Sequence, residues 1–182
     1  MVKNPKEKSV KTVSNNIPKA ELQKRIASGR STLLTLVIFT VVNVVLMVMN
    51  AGYYMLFSAS IPYYLTAFGL DLSGSPVGTV LLAIAAGFVA LLLLSWLLSK
   101  KKGGWMICGM ILMILDSLAL VGLCLLIPGM FAENILDLVF HAAVLYSVIR
   151  AVAANKKLQA MVEESPVYYD GYTPGYNGSP EF

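Results

Sequence analysis

The sequence has few of the residues that most catalytic and metal sites require. It contains one histidine and two cysteines among 182 residues, and only 13% of its residues are charged. No serine-histidine motif, HExxH, P-loop or GxGxxG stretch occurs, so the common hydrolase, metalloprotease and nucleotide-binding signatures are absent. Cys108 and Cys124 lie sixteen residues apart in one apolar run, which is about 24 Å along a helix and too far for a disulfide. These absences predict a chain that is not an enzyme and that holds no metal or cofactor.

Long apolar runs occupy most of the chain instead. Hydrophobic residues make up 57% of it, and its charged fraction is well below the ~25% of soluble domains. The clearest run extends over 23 residues from Trp105 to Ile127, between Lys100–Lys102 and Pro128-Gly129. That length suits one pass through a bilayer core ~30 Å thick. Together the apolar runs predict an all-α, four-helix transmembrane bundle with spans at about 32–57, 76–99, 105–127 and 131–153.

Polar segments flank this membrane domain, which covers residues 32–153. Residues 1–31 form a basic arm that we expect to be disordered to about Asn16, with a possible juxtamembrane helix after Pro18. Residues 154–182 form a tail that ends in a Tyr/Gly/Pro-rich stretch. The connection 58–75 is compatible with a short helix on the membrane surface, a re-entrant element or a lid, and its length does not decide among them.

The distribution of basic residues predicts the orientation of the chain. Along the sequence, the flanks of the four spans carry eight, none, three, none and three Lys or Arg residues. The positive-inside rule therefore places both termini in the cytoplasm of a multi-pass protein of the cell membrane. For the lysine-rich arm, anionic lipid headgroups are a nearer target than nucleic acid.

Several polar side chains fall inside the predicted spans. Counting ~1.5 Å per residue places Asn43, Asp116 and His141 at ~13–17 Å from the cytoplasmic boundary, with Asp137 and Asn50 at roughly 20–26 Å. Burying such groups unpaired is costly, so we expect mutual hydrogen bonds. These five residues form a candidate intramembrane polar cluster. Asp116 and His141 are its expected central pair, and Asn43 is the expected third partner.

The cluster has a structural and a functional interpretation. Polar side chains in membrane helices often only hold helices together, at about 0.6 kcal/mol per interaction on average. A carboxyl group at mid-membrane also suits a proton relay. A metal held by Asp116, Asp137 and His141 would lack any characteristic ligand spacing, and a heme on His141 would lack a second ligand.

The basic arm and the stretch LFSASIPYYLTAFG after the first span resemble those of small four-span membrane proteins of Gram-positive bacteria, a type that implies no particular activity. Small multidrug exporters also have four spans, but they are shorter and rely on a glutamate in the first helix. The first span of this chain has Asn43 and no acid, which counts against membership.

Two functions follow from these observations. The leading interpretation is a non-enzymatic accessory or scaffold subunit. It would associate with itself or a membrane partner through its tails and through the helix that carries a small-residue stripe of Ala83, Gly87 and Ala90. The alternative is a proton-coupled small-solute transporter or channel that uses Asp116 and His141. A wet cavity reaching Asp116 would favour transport, whereas a dry interior would favour the scaffold.

Overall fold

The computed structural model describes residues 17–53 and 55–163, and all of the regular secondary structure in these ranges is helical. The basic arm before residue 17 and the tail beyond residue 163 lie outside the described residues, as do the predictions made for them. Six helices follow in chain order: α1 (Lys19–Val48), α2 (Ser60–Asp71), α3 (Pro76–Leu98), α4 (Gly104–Leu126), α5 (Met130–Glu133) and α6 (Ile135–Glu163).

Four of these helices, α1, α3, α4 and α6, are long and apolar enough to cross a membrane. They form a closed bundle in which α1 packs on α6, α6 on α4, α4 on α3 and α3 on α1. The short α2 packs mainly on α3 and also contacts α1 and α4. The predicted all-α, four-helix transmembrane bundle is therefore confirmed.

Helix α1 differs from its prediction at both ends. The residues predicted as a separate juxtamembrane helix are its first turns, because α1 is continuous from Lys19. It ends at Val48 rather than at the predicted Phe57. Asn50 adopts a left-handed φ of 53°, and its N–H donates to the Met47 carbonyl while the Ala51 N–H donates to the Leu46 carbonyl. This is a Schellman motif, in which asparagine is one of the few residues that tolerate the left-handed position.

After α1 the chain turns back between the helices. The Met55 N–H bonds to Asn43 and the Ala59 N–H to Thr40, so the segment approaches the middle of the bundle as it proceeds. Helix α2 then begins beside Asp116, near the middle of α4, and runs back outward. Of the three interpretations of residues 58–75, the re-entrant element is the one whose geometry is observed.

Helix α3 begins at Pro76, where the predicted second span begins, and the Ser75-Pro76 pair explains this start. Pro76 is the first helical residue, and the Ser75 hydroxyl accepts a hydrogen bond from the Gly78 N–H at 3.0 Å. Serine at the cap and proline at the first position both favour a helix start.

The fourth span is interrupted near its predicted beginning. Glu133 belongs to the separate four-residue helix α5, and α6 begins only at Ile135 and continues to Glu163. Glu133 is exposed, whereas Asp137 and His141 on α6 are buried. Glu133 therefore lies on a different helix from Asp137 and His141, although all three fall within the predicted fourth span.

Helices α1 and α6 approach each other closely at Gly29. A Cβ atom on Gly29 would overlap the Ala151 side chain, whereas a Cβ on Gly87 would meet no atom within 4 Å. We expect Gly29→Ala to destabilise the protein by roughly 1–3 kcal/mol, because the overlap forces the helices apart. Gly87→Ala is the matched control and should not destabilise it, since alanine is the better helix former. Melting temperatures of the two purified variants test this, and equal values would contradict it.

Candidate functional site

The non-helical residues after α1, described at 49–53 and 55–59, are called the returning segment. The candidate site is the contact between this segment and the side chains of three long helices. Residues 49–53 and 55–59 are not helical, so most of their backbone groups lack the partners that a helix provides. Inside a membrane such groups are tolerated only where protein or water satisfies them. Side chains from α1, α4 and α6 do this here for residues 55–61, namely Thr40, Asn43, Asp116 and Asp137.

Asn43 holds the segment through three hydrogen bonds. Its amide nitrogen donates to the Met55 carbonyl and to the Ser58 hydroxyl, both at 2.6 Å, and its oxygen accepts from the Met55 N–H at 2.5 Å. One turn earlier on α1, the Thr40 hydroxyl accepts from the Ala59 N–H at 2.9 Å. Asn43 and Thr40 are each 1% exposed, so these bonds form out of contact with solvent.

Asp116 binds the first turn of α2. Its two carboxylate oxygens accept from the Ser60 N–H at 3.0 Å and from the Ile61 N–H at 2.6 Å. The cap residue of α2 is Ala59, which has no side-chain acceptor, and Pro62 has no N–H to satisfy. The Asp116 carboxylate from α4 thus replaces the missing cap. It lies at the N-terminal end of α2, where the helix dipole favours negative charge.

His141 joins Asp116 to α6. Its Nδ1 lies 2.7 Å from the Asp137 backbone carbonyl, and its Nε2 lies 2.7 Å from Asp116 Oδ2. A carbonyl only accepts, so Nδ1 carries a proton, and one further proton lies between Nε2 and Oδ2. Whether that proton belongs to the ring or to the carboxyl group, the pair has no net charge. Asp116 is 0% and His141 2% exposed, and a neutral pair limits the cost of this burial.

Asp137 binds a residue of the segment that has a strained backbone conformation. Its carboxylate accepts from the Phe57 N–H at 3.0 Å, and Phe57 has a left-handed φ of 76°. Such a conformation costs a bulky residue on the order of 1–3 kcal/mol. The Phe57 ring packs on Phe140 with centroids 4.9 Å apart, so α6 stabilises this residue through both its backbone and its ring.

The structure brings four of the five predicted cluster residues to this segment. Asn43, Asp116, Asp137 and His141 are buried around it, and the expected hydrogen bond between Asp116 and His141 is present. Asn50 is exposed beyond the end of α1 and belongs to the helix cap instead.

The expected role of Asn43 as third partner of the pair is also corrected, because its amide binds the backbone and hydroxyl of the returning segment. Thr40 and Ser58 take part as well and were not in the predicted cluster. Thr40 lies three residues before Asn43, on the same helical face, and that spacing was the available signal.

A cleft of about 190 Å³ opens beside the segment, toward the end of the bundle away from the basic residues. Asp137 and Ser60 line its inner part, and the Ser60 N–H bonds directly to Asp116. Asp116 and His141 are not among the lining residues, which are Ser58, Ser60, Tyr63, Tyr64, Met130, Glu133, Asn134 and Asp137. Ser60 and Asp137 therefore separate the cleft from the Asp116–His141 pair.

Within residues 17–53 and 55–163, no three His, Cys, Asp or Glu side chains converge as ligands of a metal ion. Comparison of the chain with family models, with curated proteins and with solved structures found no match.

Proposed function

We propose that this chain is a non-enzymatic integral membrane protein that acts as an accessory or scaffold subunit. The observation that carries the proposal is the use made of the buried polar groups. Asn43, Asp116 and Asp137 direct their polar atoms at the backbone of the protein's own returning segment. These polar atoms already have partners within the protein, which favours a structural role for them.

The orientation proposed here has both termini in the cytoplasm of a cell-membrane protein. Every described lysine and arginine lies toward one end of the bundle, where Arg30 of α1 donates to Ser99 at the end of α3 at 3.0 Å. Gly103, just before α4, lies beside Asn155 of α6 at the same end. The positive-inside rule assigns this end to the cytoplasm.

The surface proposed for association is the outward face of α3. Ala83, Gly87 and Ala90 are exposed, and the space around Gly87 is open. Small residues permit close approach of a second helix within the membrane. We expect Gly87→Leu to abolish co-purification of a partner subunit, or self-association in the absence of one, after extraction in mild detergent. Gly122→Leu on α4 is the matched control, because a Cβ there also meets no atom within 4 Å.

A second candidate, proton-coupled transport, is favoured by one observation. The outer cleft reaches Asp137 and Ser60, and the single proton shared by Asp116 and His141 lies directly behind them. A small opening of the segment would connect that proton to the outside.

Liposomes that enclose a pH-sensitive dye distinguish the two functions. If the protein is a scaffold, liposomes that contain the wild-type protein should lose an imposed pH gradient no faster than protein-free liposomes. A faster dissipation that is lost in a folded Asp137→Asn variant would replace the scaffold with transport. If Gly87→Leu and Gly122→Leu retain equal amounts of the associated subunit in the co-purification assay, the proposed association surface is contradicted.

A further inference from the structure

At the basic end of the bundle, α1 and α6 enclose a cleft of about 230 Å³. We propose that this cleft binds the phosphate of an anionic phospholipid headgroup. It lies on the far side of the bundle's midplane from the returning segment and is independent of the function proposed above. Its lining residues are Glu21, Lys24, Arg25 and Ser28 of α1 with Tyr146, Ser147 and Arg150 of α6.

The charges of the cleft select an anion. Lys24, Arg25 and Arg150 contribute three positive charges and Glu21 one negative charge, which leaves a net charge of +2 (3 − 1). Glu21 is already paired, since its carboxylate accepts from Arg25 Nε at 3.0 Å. A phosphodiester with one negative charge complements this surplus, whereas a cation would be repelled.

The neutral groups of the cleft are also suited to phosphate. Ser28, Ser147 and Tyr146 bring hydroxyl groups to its walls. The Arg150 guanidinium lies 5.4 Å from the centre of the Tyr146 ring, and Nη1 donates to the Tyr146 hydroxyl at 3.4 Å. Stacking on the ring restricts the arginine, whose planar fork binds phosphate oxygens in pairs.

The depth of the cleft matches the headgroup layer. Thr40 and Asp116 both bind the start of α2, and Asp116 lies near the middle of α4, so they mark the middle of the membrane domain. Ser28 is twelve residues from Thr40 and Arg150 nine from His141, or about 18 Å and 14 Å along the helices. A hydrocarbon core ~30 Å thick ends about 15 Å from its centre.

The surface next to the cleft favours a lipid over free phosphate as the source of that group. Val139 is 64% exposed and lies seven residues before Tyr146, on the same face of α6. An acyl chain attached to the bound phosphate would lie along this apolar face, and free phosphate has nothing to place there.

Thermal unfolding of the purified full-length protein in neutral detergent tests the proposal. Short-chain phosphatidylglycerol is titrated, with short-chain phosphatidylcholine and inorganic phosphate as the other arms. We expect the anionic lipid to raise the melting temperature most. Lys24→Gln combined with Arg150→Gln should raise the half-saturating lipid concentration on the order of tenfold, because two of the three cations are removed.

Two further variants make the result specific to the cleft. Lys101→Gln with Lys102→Gln removes the same charge from exposed positions at the same end and should leave the response unchanged. Glu21→Gln removes the only acid lining the cleft and should strengthen lipid binding. Equal loss in the two double variants, no preference for phosphatidylglycerol over phosphatidylcholine, or an equal response to inorganic phosphate would each overturn the proposed lipid site.

Discussion

Asp116→Asn is expected to lower the melting temperature of the purified protein by roughly 6–12 °C. The carboxylate accepts from two backbone N–H groups and bonds to His141, all within 3.0 Å. Asparagine keeps one acceptor but points an NH₂ group at a second donor, so an N–H in the first turn of α2 loses its partner. Breaking a buried, hydrogen-bonded pair costs about 3 kcal/mol or more, and 1 kcal/mol corresponds to about 2–4 °C in a chain of this size.

Asp71→Asn provides the control for removing a carboxylate. Asp71 ends the same helix α2 but is exposed, so its replacement should change the melting temperature little. A double-mutant cycle with His141→Gln should show strong coupling to Asp116, because each single change already breaks the shared bond. A neutral or stabilising Asp116→Asn variant would contradict the structural role. It would mean that the acid is retained at a cost to stability, as functional acids often are.

The parts of the fold that were predictable depend on local signals. Four long apolar runs define the spans because a bilayer imposes a minimum length on a helix. The Ser75-Pro76 start was predictable because a cap bonds only to its own first turn. The pairing of Asp116 with His141 was predictable as well, since two polar groups at one depth have few other partners in an apolar interior.

The returning segment was not predictable from hydrophobicity. A hydrophobic stretch of sequence is compatible both with an apolar helix and with an apolar loop buried by protein. Residues 49–57 are mostly apolar, so they were assigned to the first span. Their backbone partners come from distant positions, such as Asp116 and Asp137. The local signal that was available is Asn50-Ala51-Gly52, because asparagine and glycine favour the left-handed conformations observed there.

Asn43→Leu is expected to release this segment from the bundle. Leucine has a similar volume but can form none of the three hydrogen bonds of Asn43. One side-chain bond between membrane helices contributes only about 0.6 kcal/mol on average, because the separated helices find other partners. The Met55 N–H and carbonyl both bond to Asn43, and leaving both unpaired in apolar surroundings costs several kcal/mol. Moving outward to water is the less costly outcome for the segment.

Cysteine labelling measures that movement directly. Ser58→Cys is placed in a chain carrying Cys108→Ala and Cys124→Ala, so that the new thiol is the one that reacts. Position 58 is only 9% exposed in the folded protein, so its reaction is expected to be slow there. Adding Asn43→Leu should raise the rate of reaction with a membrane-impermeant maleimide by at least about tenfold, since an equilibrium shift of 1.4 kcal/mol suffices for that factor. Thr35→Val is the control on α1, because its hydroxyl bonds only to the Ser31 carbonyl of the same helix. An unchanged rate would show that Thr40, Asp116 and Asp137 retain the segment without Asn43. The site would then be a set of redundant contacts, in which no single polar side chain determines the position of the segment.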